Sequence, residues 1–254
     1  MTRRRVPPWL GAAAAFAGDL ASLVWPRTCA GCGCPCAGPV CETCRGSVSP
    51  RRPGRDCAVC GKTILATDAA AGTAAPVCAK CRAKRPAFDA ARSAVDYAGP
   101  VREIVQSLKY RRARDAAPWM ADWMLGCIAA NWPGERFDAV VPVPLFPGRE
   151  AKRGYNQAGL LAEAVAAGLG APAAHRLLAR LRDTGTQTRL GAAKRRDNVA
   201  GAFAVRAGRE AEAYGKRLLV VDDVMTTGAT LDAASAALRA AGAGRVLALS
   251  FARG

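Results

Sequence analysis

The stretch Arg217 to Thr230, R-L-L-V-V-D-D-V-M-T-T-G-A-T, limits the fold more than any other part of this chain. Leu218 to Val221 form an apolar, partly β-branched run too short for a helix. Such a run predicts a strand buried on both faces, as in a parallel sheet. Asp222 and Asp223 follow at once. Thr226-Thr227-Gly228-Ala229-Thr230 then lead into an Ala-rich helical stretch, Leu231 to Ala241. The strand therefore delivers two acids to its carboxyl end, and a loop of small residues turns into a helix amino terminus. Free N–H groups and the positive end of the helix dipole suit a phosphate there. The hydroxyls at 226, 227 and 230 add donors, and Gly228 lets the backbone approach an anion closely. The acids would repel a phosphate. They suit sugar hydroxyls or a hydrated Mg2+. A sugar phosphate satisfies both halves.

Residues 218–230 resemble the 5-phosphoribosyl-1-diphosphate (PRPP) signature of type I phosphoribosyltransferases: four apolar residues, two acids, then a Thr/Gly loop. The resemblance implies that the acids hold the ribose 2- and 3-hydroxyls while the loop wraps the 5-phosphate. The bland alternative is an ordinary strand–turn–helix junction with acids near a cap.

Ten of the eleven cysteines precede residue 82. They fall into C-x-x-C pairs, a pattern of metal binding in a reducing, cytoplasmic compartment rather than of a disulfide scaffold. Cys29, Cys32, Cys41 and Cys44 form one candidate quartet. Cys57, Cys60, Cys78 and Cys81 form another, with the spacing of a zinc ribbon. Two such knuckles complete a tetrahedral S4 site for structural Zn2+, with no position left open for catalysis. Cys34 and Cys36 leave the first quartet ambiguous: either is able to replace Cys32, or both are spectators. A redox C-x-x-C and an iron–sulfur cluster are the competing readings. Cys127, in an apolar helical stretch, reads as a buried small hydrophobe.

The net charge of +17 is spread along the chain, with a pI near 10.0. It favours anionic partners, nucleic acid among them. Aromatic residues are only 6%, so no base-stacking platform is evident. No apolar run approaches the roughly 20 residues that span a bilayer. The basic start and the run Trp9 to Ala17 imitate a signal peptide without a clean cleavage site; Trp9 to Val24 is expected to be a short amphipathic helix.

Beyond Pro86 the pattern alternates strands and helices. Ser93–Tyr97 reads as a strand, Val101–Tyr110 as a helix with apolar residues at 101, 104, 105 and 108, and Trp119–Ala130 as a second helix. The basic cluster Lys109, Arg111, Arg112 and Arg114 reads as a solvated helix end. Phe137–Val143 is a strand. A basic loop with Arg149, Lys152 and Arg153 follows it, then a helix, Ala158–Gly168. Such loops line one crevice of a doubly wound sheet, and this one suits a diphosphate. Leu181 to Phe203 is polar and basic until a strand at Val199–Val205, and is expected to form a mobile lid. His175, the single histidine, is read as structural.

Taken together the chain resembles the ComF family, bacterial proteins linked to competence for DNA uptake. The carrying features are the cysteine pairs, L-K-Y at 108–110, V-P-V-P at 141–144, R-G-Y-N-Q-A at 153–158, T-x-x-Q-x-x-L at 184–190 with Arg196, Asn198 and G-A-F at 201–203, and the signature at 218–230. The resemblance implies an α/β type I phosphoribosyltransferase fold, a mostly parallel doubly wound sheet, preceded by a small zinc-ribbon domain. The expected divisions are 1–25 (helix), 26–86 (double ribbon) and 87–254 (transferase). The implied chemistry is displacement at the ribose anomeric carbon with diphosphate leaving, stabilised by Mg2+ and basic side chains. Asp222 and Asp223 would hold the ribose hydroxyls, and Thr226, Thr227, Gly228, Ala229 and Thr230 the 5-phosphate. Lys152 and Arg153 would contact the diphosphate, with Lys194, Arg195 and Arg196 closing over it. Thr226 stands where 6-oxopurine transferases carry an acid that serves the base, which disfavours hypoxanthine or guanine as acceptor. The alternative function is a single-stranded nucleic-acid-binding accessory protein, working with DNA-uptake proteins, that keeps the PRPP fold as sensor or scaffold. A purely PRPP-responsive regulator is weaker, because no helix-turn-helix front end is present.

Overall fold

The computed structural model describes residues 27–51, 54, 56–64, 76–183 and 201–254. The expected amino-terminal helix, the outer loop between Lys62 and Ala75 beyond Ile64, and most of the lid segment, including Lys194, Arg195 and Arg196, lie outside them.

The apolar runs form one four-stranded parallel sheet. β1 is Ala90–Asp96, β2 is Ala139–Pro142, β5 is Arg217–Met225 and β6 is Arg245–Arg253, in the order β1-β6-β5-β2. β5 and β6 are buried along almost their whole length, as their near-continuous apolar sequences require. β3 (Leu178–Arg180) and β4 (Phe203–Val205) form a separate antiparallel pair. One expectation needs correction here. β5 does not stop at Val221: it stays paired with β6 through Met225, so the two acids lie within the strand's last turns of pleat and not in a following loop.

Helices cover both faces. α3 (Pro100–Tyr110) buries Val101, Ile104, Val105 and Leu108, the stripe read from sequence, and Pro100 starts it. α4 (Ala116–Asn131) and α6 (Gln157–Leu169) pack on each other, α4 also against β1 and β6, and α6 against β2 and β5. On the opposite face α7 (Ala229–Ala240) packs on β4, β5 and β6. The segment expected to be a basic loop is instead a short helix, α5 (Pro147–Arg153). Pro147 sets its first turn and Gly154, at φ +79°, ends it in the left-handed conformation that a side chain would resist.

The cysteine-rich front end was expected to have little core of its own, and its apolar side chains are in fact shared with the sheet. Its two halves contain the short helices α1 (Glu42–Gly46) and α2 (Ala79–Ala83). Cys29, Ala30, Val40, Cys44 and Val48 join the core on the α3/α4 face. Cys57, Val59, Cys60, Ile64, Cys78 and Cys81 join the core on the α7 face. Between them they straddle the sheet edge: Arg51 N–H donates to Ala94 O (2.8 Å) and Ala91 N–H to Val59 O (2.7 Å). β1 is thereby protected from edge-to-edge pairing. Cys127 is half-buried as an apolar residue, with burial lifting its thiol to about 11.

Candidate functional site

The second cysteine group has the geometry to hold a metal ion. The Sγ atoms of Cys57, Cys60, Cys78 and Cys81 lie within 4.8 Å of one another, and all four residues are buried. The Cys60–Cys78 separation is 3.8 Å. A tetrahedral S4 site with Zn–S bonds near 2.3 Å has edges of roughly 3.8 Å, so the residues fit Zn2+. Backbone N–H groups of Cys60 and Cys78 point at the Cys57 sulfur (3.5 and 3.3 Å). Burial alone would raise the Cys57 thiol, but these donors outweigh it and bring it down to about 7.

The first group is the same unit again. In both, the residue directly after the second knuckle cysteine is a glycine with positive φ (Gly33 at +78°, Gly61 at +64°), and the N–H of that glycine donates to the first cysteine's carbonyl. The Cys29 sulfur accepts from Gly31 and Cys41 N–H, both at 3.3 Å. Here the sequence expectation is enlarged. The compact quartet is Cys29, Cys32, Cys34 and Cys41, with Cys34 Sγ 3.3 Å from Cys32 Sγ. Cys44, expected as the fourth ligand and buried, still reaches the sulfurs of Cys29, Cys32 and Cys41. Four thiols thus lie together, with Cys44 a fifth beside them. Cys34 stands beside Cys32 and does not replace it. Cys36 turns away, its thiol donating to Gly38 O at 3.0 Å.

The acid pair sits on β5, buried at 8% exposure for Asp222 and 4% for Asp223. Asp223 N–H donates to Asp222 Oδ1 at 2.8 Å. Lys109, from the end of α3, places its Nζ 2.5 Å from Asp223 Oδ2. Burial, and then the Asp223 charge, push the Asp222 carboxyl well above the usual range. Burial would raise Asp223 as well, but the Lys109 ammonium overcomes it and holds Asp223 below that range, with a smaller contribution from Arg153. The two neighbouring carboxyls are thus driven in opposite directions, Asp222 up by burial and Asp223 down by Lys109.

Two sequence motifs explain how the cations arrive. Tyr155 donates its hydroxyl to Leu108 O, and the Arg114 guanidinium lies 4.3 Å over the Tyr155 ring. Arg153 lies 5.1 Å over the Tyr110 ring and donates to Gln157 Oε1. Asn156 caps α6, accepting from Ala158 N–H (3.1 Å) and donating to Val143 O (3.0 Å). So L-K-Y and R-G-Y-N-Q are one interlocked unit below the strand ends. The cluster around Lys109 was read as a solvated helix end; Lys109 is instead three-quarters or more enclosed against Asp223. The cue available was the position of Lys109 at the carboxyl end of a buried stripe. Arg180 on β3 also escaped sequence reading. It lies 5.3 Å over the Phe203 ring, and burial and the Arg149 charge lower its pKa while the Asp222 charge opposes them. Arg149 pairs with Asp183 at 2.8 Å.

The loop after β5 is shorter than anticipated: it spans 226–228, and Ala229 and Thr230 already belong to the first turn of α7. Gly228 takes φ +79° at the cap of α7, and a Cβ there would come within 2.6 Å of Met225 Cε. Ala229 N–H points at Thr227 Oγ1 (3.4 Å). Thr226 is exposed, and Thr227, Ala229 and Thr230 are half-buried. The first turn of α7 leaves N–H groups without helical partners, as any helix start does. Lys152 is exposed on α5, one position from Arg153. His175 is exposed and stands apart from the acids, beside a separate cavity lined by Asp138, Arg176 and Lys216.

A parallel sheet with a buried acid pair at a strand's carboxyl end, followed by a Gly-capped loop and helix, defines a phosphoribosyltransferase-type domain, here joined to a cysteine-rich module. The family description "phosphoribosyl transferase domain" matches residues 164–253. The chain is 34% identical over 157 residues to the DNA utilization protein YhgH of Salmonella typhimurium, covering 61% of this chain and 67% of that one. It is 38% identical over 116 residues to competence protein F of Haemophilus influenzae, covering 46% and 50%. A solved glutamine PRPP amidotransferase from B. subtilis, complexed with ADP and GMP, superposes at a TM-score of 0.36 with 23% identity, over 54% of this chain and 26% of that one. That overlap is partial, and the fold assignment rests on the strand order and the family match. The chain belongs to the ComF family. Among the described residues no helix is long and apolar enough to cross a membrane.

Proposed function

We propose that the chain binds PRPP and, with Mg2+, transfers its phosphoribosyl group to an acceptor, in the service of DNA uptake. The carrying observation is the buried Asp222–Asp223 pair, on which cations act from three separate segments: Lys109 of α3, Arg153 of α5 and Arg180 of β3. Buried acids that far from water need partners. A ribose with vicinal hydroxyls, flanked by phosphates at both ends, matches acids set among cations.

In this reading the ionised Asp223 and its neighbour Asp222 accept the ribose hydroxyls and fix the ring. The loop Thr226–Thr230 holds the 5-phosphate through N–H groups and hydroxyls. Lys152 and Arg153 face the departing diphosphate, and Lys194, Arg195 and Arg196 close over it. Bound Mg2+ would neutralise diphosphate charge in the displacement. The side chains supply position and electrostatic stabilisation. Thr226 offers no carboxylate to a purine, which disfavours a 6-oxopurine acceptor. The same reading divides the chain at 25 and 86, places it in the cytoplasm, where reduced thiols persist, and assigns it to nucleotide metabolism. Incubation with PRPP, Mg2+ and cell extract should release diphosphate, and Asp222→Asn with Asp223→Asn should abolish the release. Undiminished release in the double variant contradicts the assignment.

A second reading, binding of single-stranded DNA, is favoured by the +17 charge and by relatives named for DNA utilization and competence. It predicts affinity that falls steeply between about 50 and 200 mM salt, as phosphate contacts release counterions. Salt-insensitive binding, or none at low salt, counts against it.

A further inference from the structure

The second cysteine module grips the proposed phosphate loop before it, within it and after it. Before the loop, Arg253 at the end of β6 donates to Cys60 O at 2.6 Å and sits 3.5 Å from Met225 Sδ, while Gly254 N–H donates to Met225 O at 3.1 Å. Within the loop, Lys80 donates to Thr227 O at 2.6 Å. Lys80 lies on α2, between the ligand positions Cys78 and Cys81. After the loop, Ala87, the first residue beyond the module on the way to β1, donates its N–H to Asp232 Oδ1 in the first turn of α7, at 2.7 Å. A cavity of about 370 Å3 separates the two parts, bounded by Cys60, Cys78 and Lys80 on one side and by Thr226, Thr227 and Arg253 on the other.

The Lys80 contact has a directional consequence. In a trans peptide the carbonyl and the following N–H point to opposite sides. An ammonium that holds the Thr227 carbonyl toward the ribbon therefore turns the Gly228 N–H away from it. Gly228 accepts the resulting left-handed φ of +79°. Lys80 in turn is held by a five-residue helix that Cys78 caps at its start and that carries Cys81 in its middle. A helix that short does not persist alone in water, so the metal fixes where the ammonium stands.

We propose that the second cysteine site is a metal-dependent half of the 5-phosphate site, with Lys80 as the positioning residue that transmits the knuckle's geometry to the loop. This rests on the PRPP reading above. Zinc in the Cys57, Cys60, Cys78 and Cys81 site then sets PRPP affinity without touching the ligand.

The test is calorimetry on the full zinc-loaded chain with three probes: PRPP, ribose 5-phosphate and inorganic diphosphate. Lys80→Ala should keep its zinc and weaken PRPP and ribose 5-phosphate alike, by about fivefold to tenfold, the scale of one charged hydrogen bond at a partly exposed position. Diphosphate binding should not change, and Lys80→Arg should restore the loss. Stepwise chelation should lower PRPP affinity in parallel with loss of the second zinc. Unchanged PRPP affinity in Lys80→Ala, or affinity that survives removal of that zinc, overturns the inference while leaving the PRPP reading intact. Equal weakening for all three probes also overturns it, since that is general destabilisation. Absence of PRPP binding in the unaltered chain overturns the reading and the inference together.

Discussion

Replacing Lys109 with Met keeps the volume of the buried stem and removes the charge that faces Asp223. Two carboxylates then share a buried site without their closest cation. Breaking a buried pair by removing one partner costs roughly 3–5 kcal/mol. Lys109 keeps 20% of its side chain exposed against 5% for Asp223, and an unpaired buried acid escapes by taking a proton. The expected loss is therefore about 2 kcal/mol at neutral pH, or roughly 4–8 °C in Tm for a chain of this size. The pH dependence has a definite sign. In the native chain Asp223 is held below its ordinary 3.8, so its contribution is complete above that value and lost only as pH falls through the folded value. In Lys109→Met the Asp223 carboxyl moves above 3.8, so its ionisation works against folding as pH rises. The gap between the two proteins should open from about pH 4 upward and close again in acid. Thermal melts from pH 4.5 to 8, at fixed zinc and protein concentration, read it directly. A loss of the same size at every pH would refute the reasoning, because it would mean that packing and not charge holds Lys109 in place. A variant as stable as the native chain at pH 7.5 would refute it as well.

Other outcomes follow from the same geometry. Gly228→Ala should cost about 1–2 kcal/mol, from a left-handed φ and a 2.6 Å clash with Met225, and should weaken PRPP binding; melts and calorimetry check both. Cys127, lifted by burial to about 11 from an ordinary 9.0, carries about 100-fold fewer thiolates than a free cysteine near pH 8. Mass spectrometry after iodoacetamide should therefore find it nearly unmodified at pH 8, with labelling that rises steadily to pH 11. Five sulfurs serve four positions in the first cysteine group, so Cys34→Ser and Cys44→Ser should each retain two zinc ions per chain. The double variant should retain one, as measured by elemental analysis.

What was legible in the sequence divides by physical cause. The stripe at 101, 104, 105 and 108 named α3 because a helix buries one face at that period. Leu218 to Val221 named the central strand because only a strand covered on both faces reads as continuous apolar residues. The cysteine spacings named two cysteine groups, each of two knuckles, because ligand geometry fixes local spacing. The reach of long side chains was not legible. Lys109 finds Asp223 across 114 positions of chain, and Lys80 finds Thr227 across 147, through contacts that no local pattern encodes. The four-residue extension that carried β5 to Met225 was hidden for a related reason: strand length there is set by pairing with β6, not by the hydropathy of Asp222 and Asp223. The basic stretch at 149–153 misled in the other direction, since charge suggested a loop while Pro147 and Gly154 framed a short helix.

The central claim is that Asp222 and Asp223 hold a phosphoribosyl group. Calorimetry with PRPP and Mg2+ on the zinc-loaded chain, beside Asp222→Asn with Asp223→Asn, tests it most directly. The account predicts saturable 1:1 binding by the native chain and a loss of at least 100-fold, about 2.7 kcal/mol, in the double variant with its zinc content and fold unchanged. Equal affinity in the two proteins would contradict it.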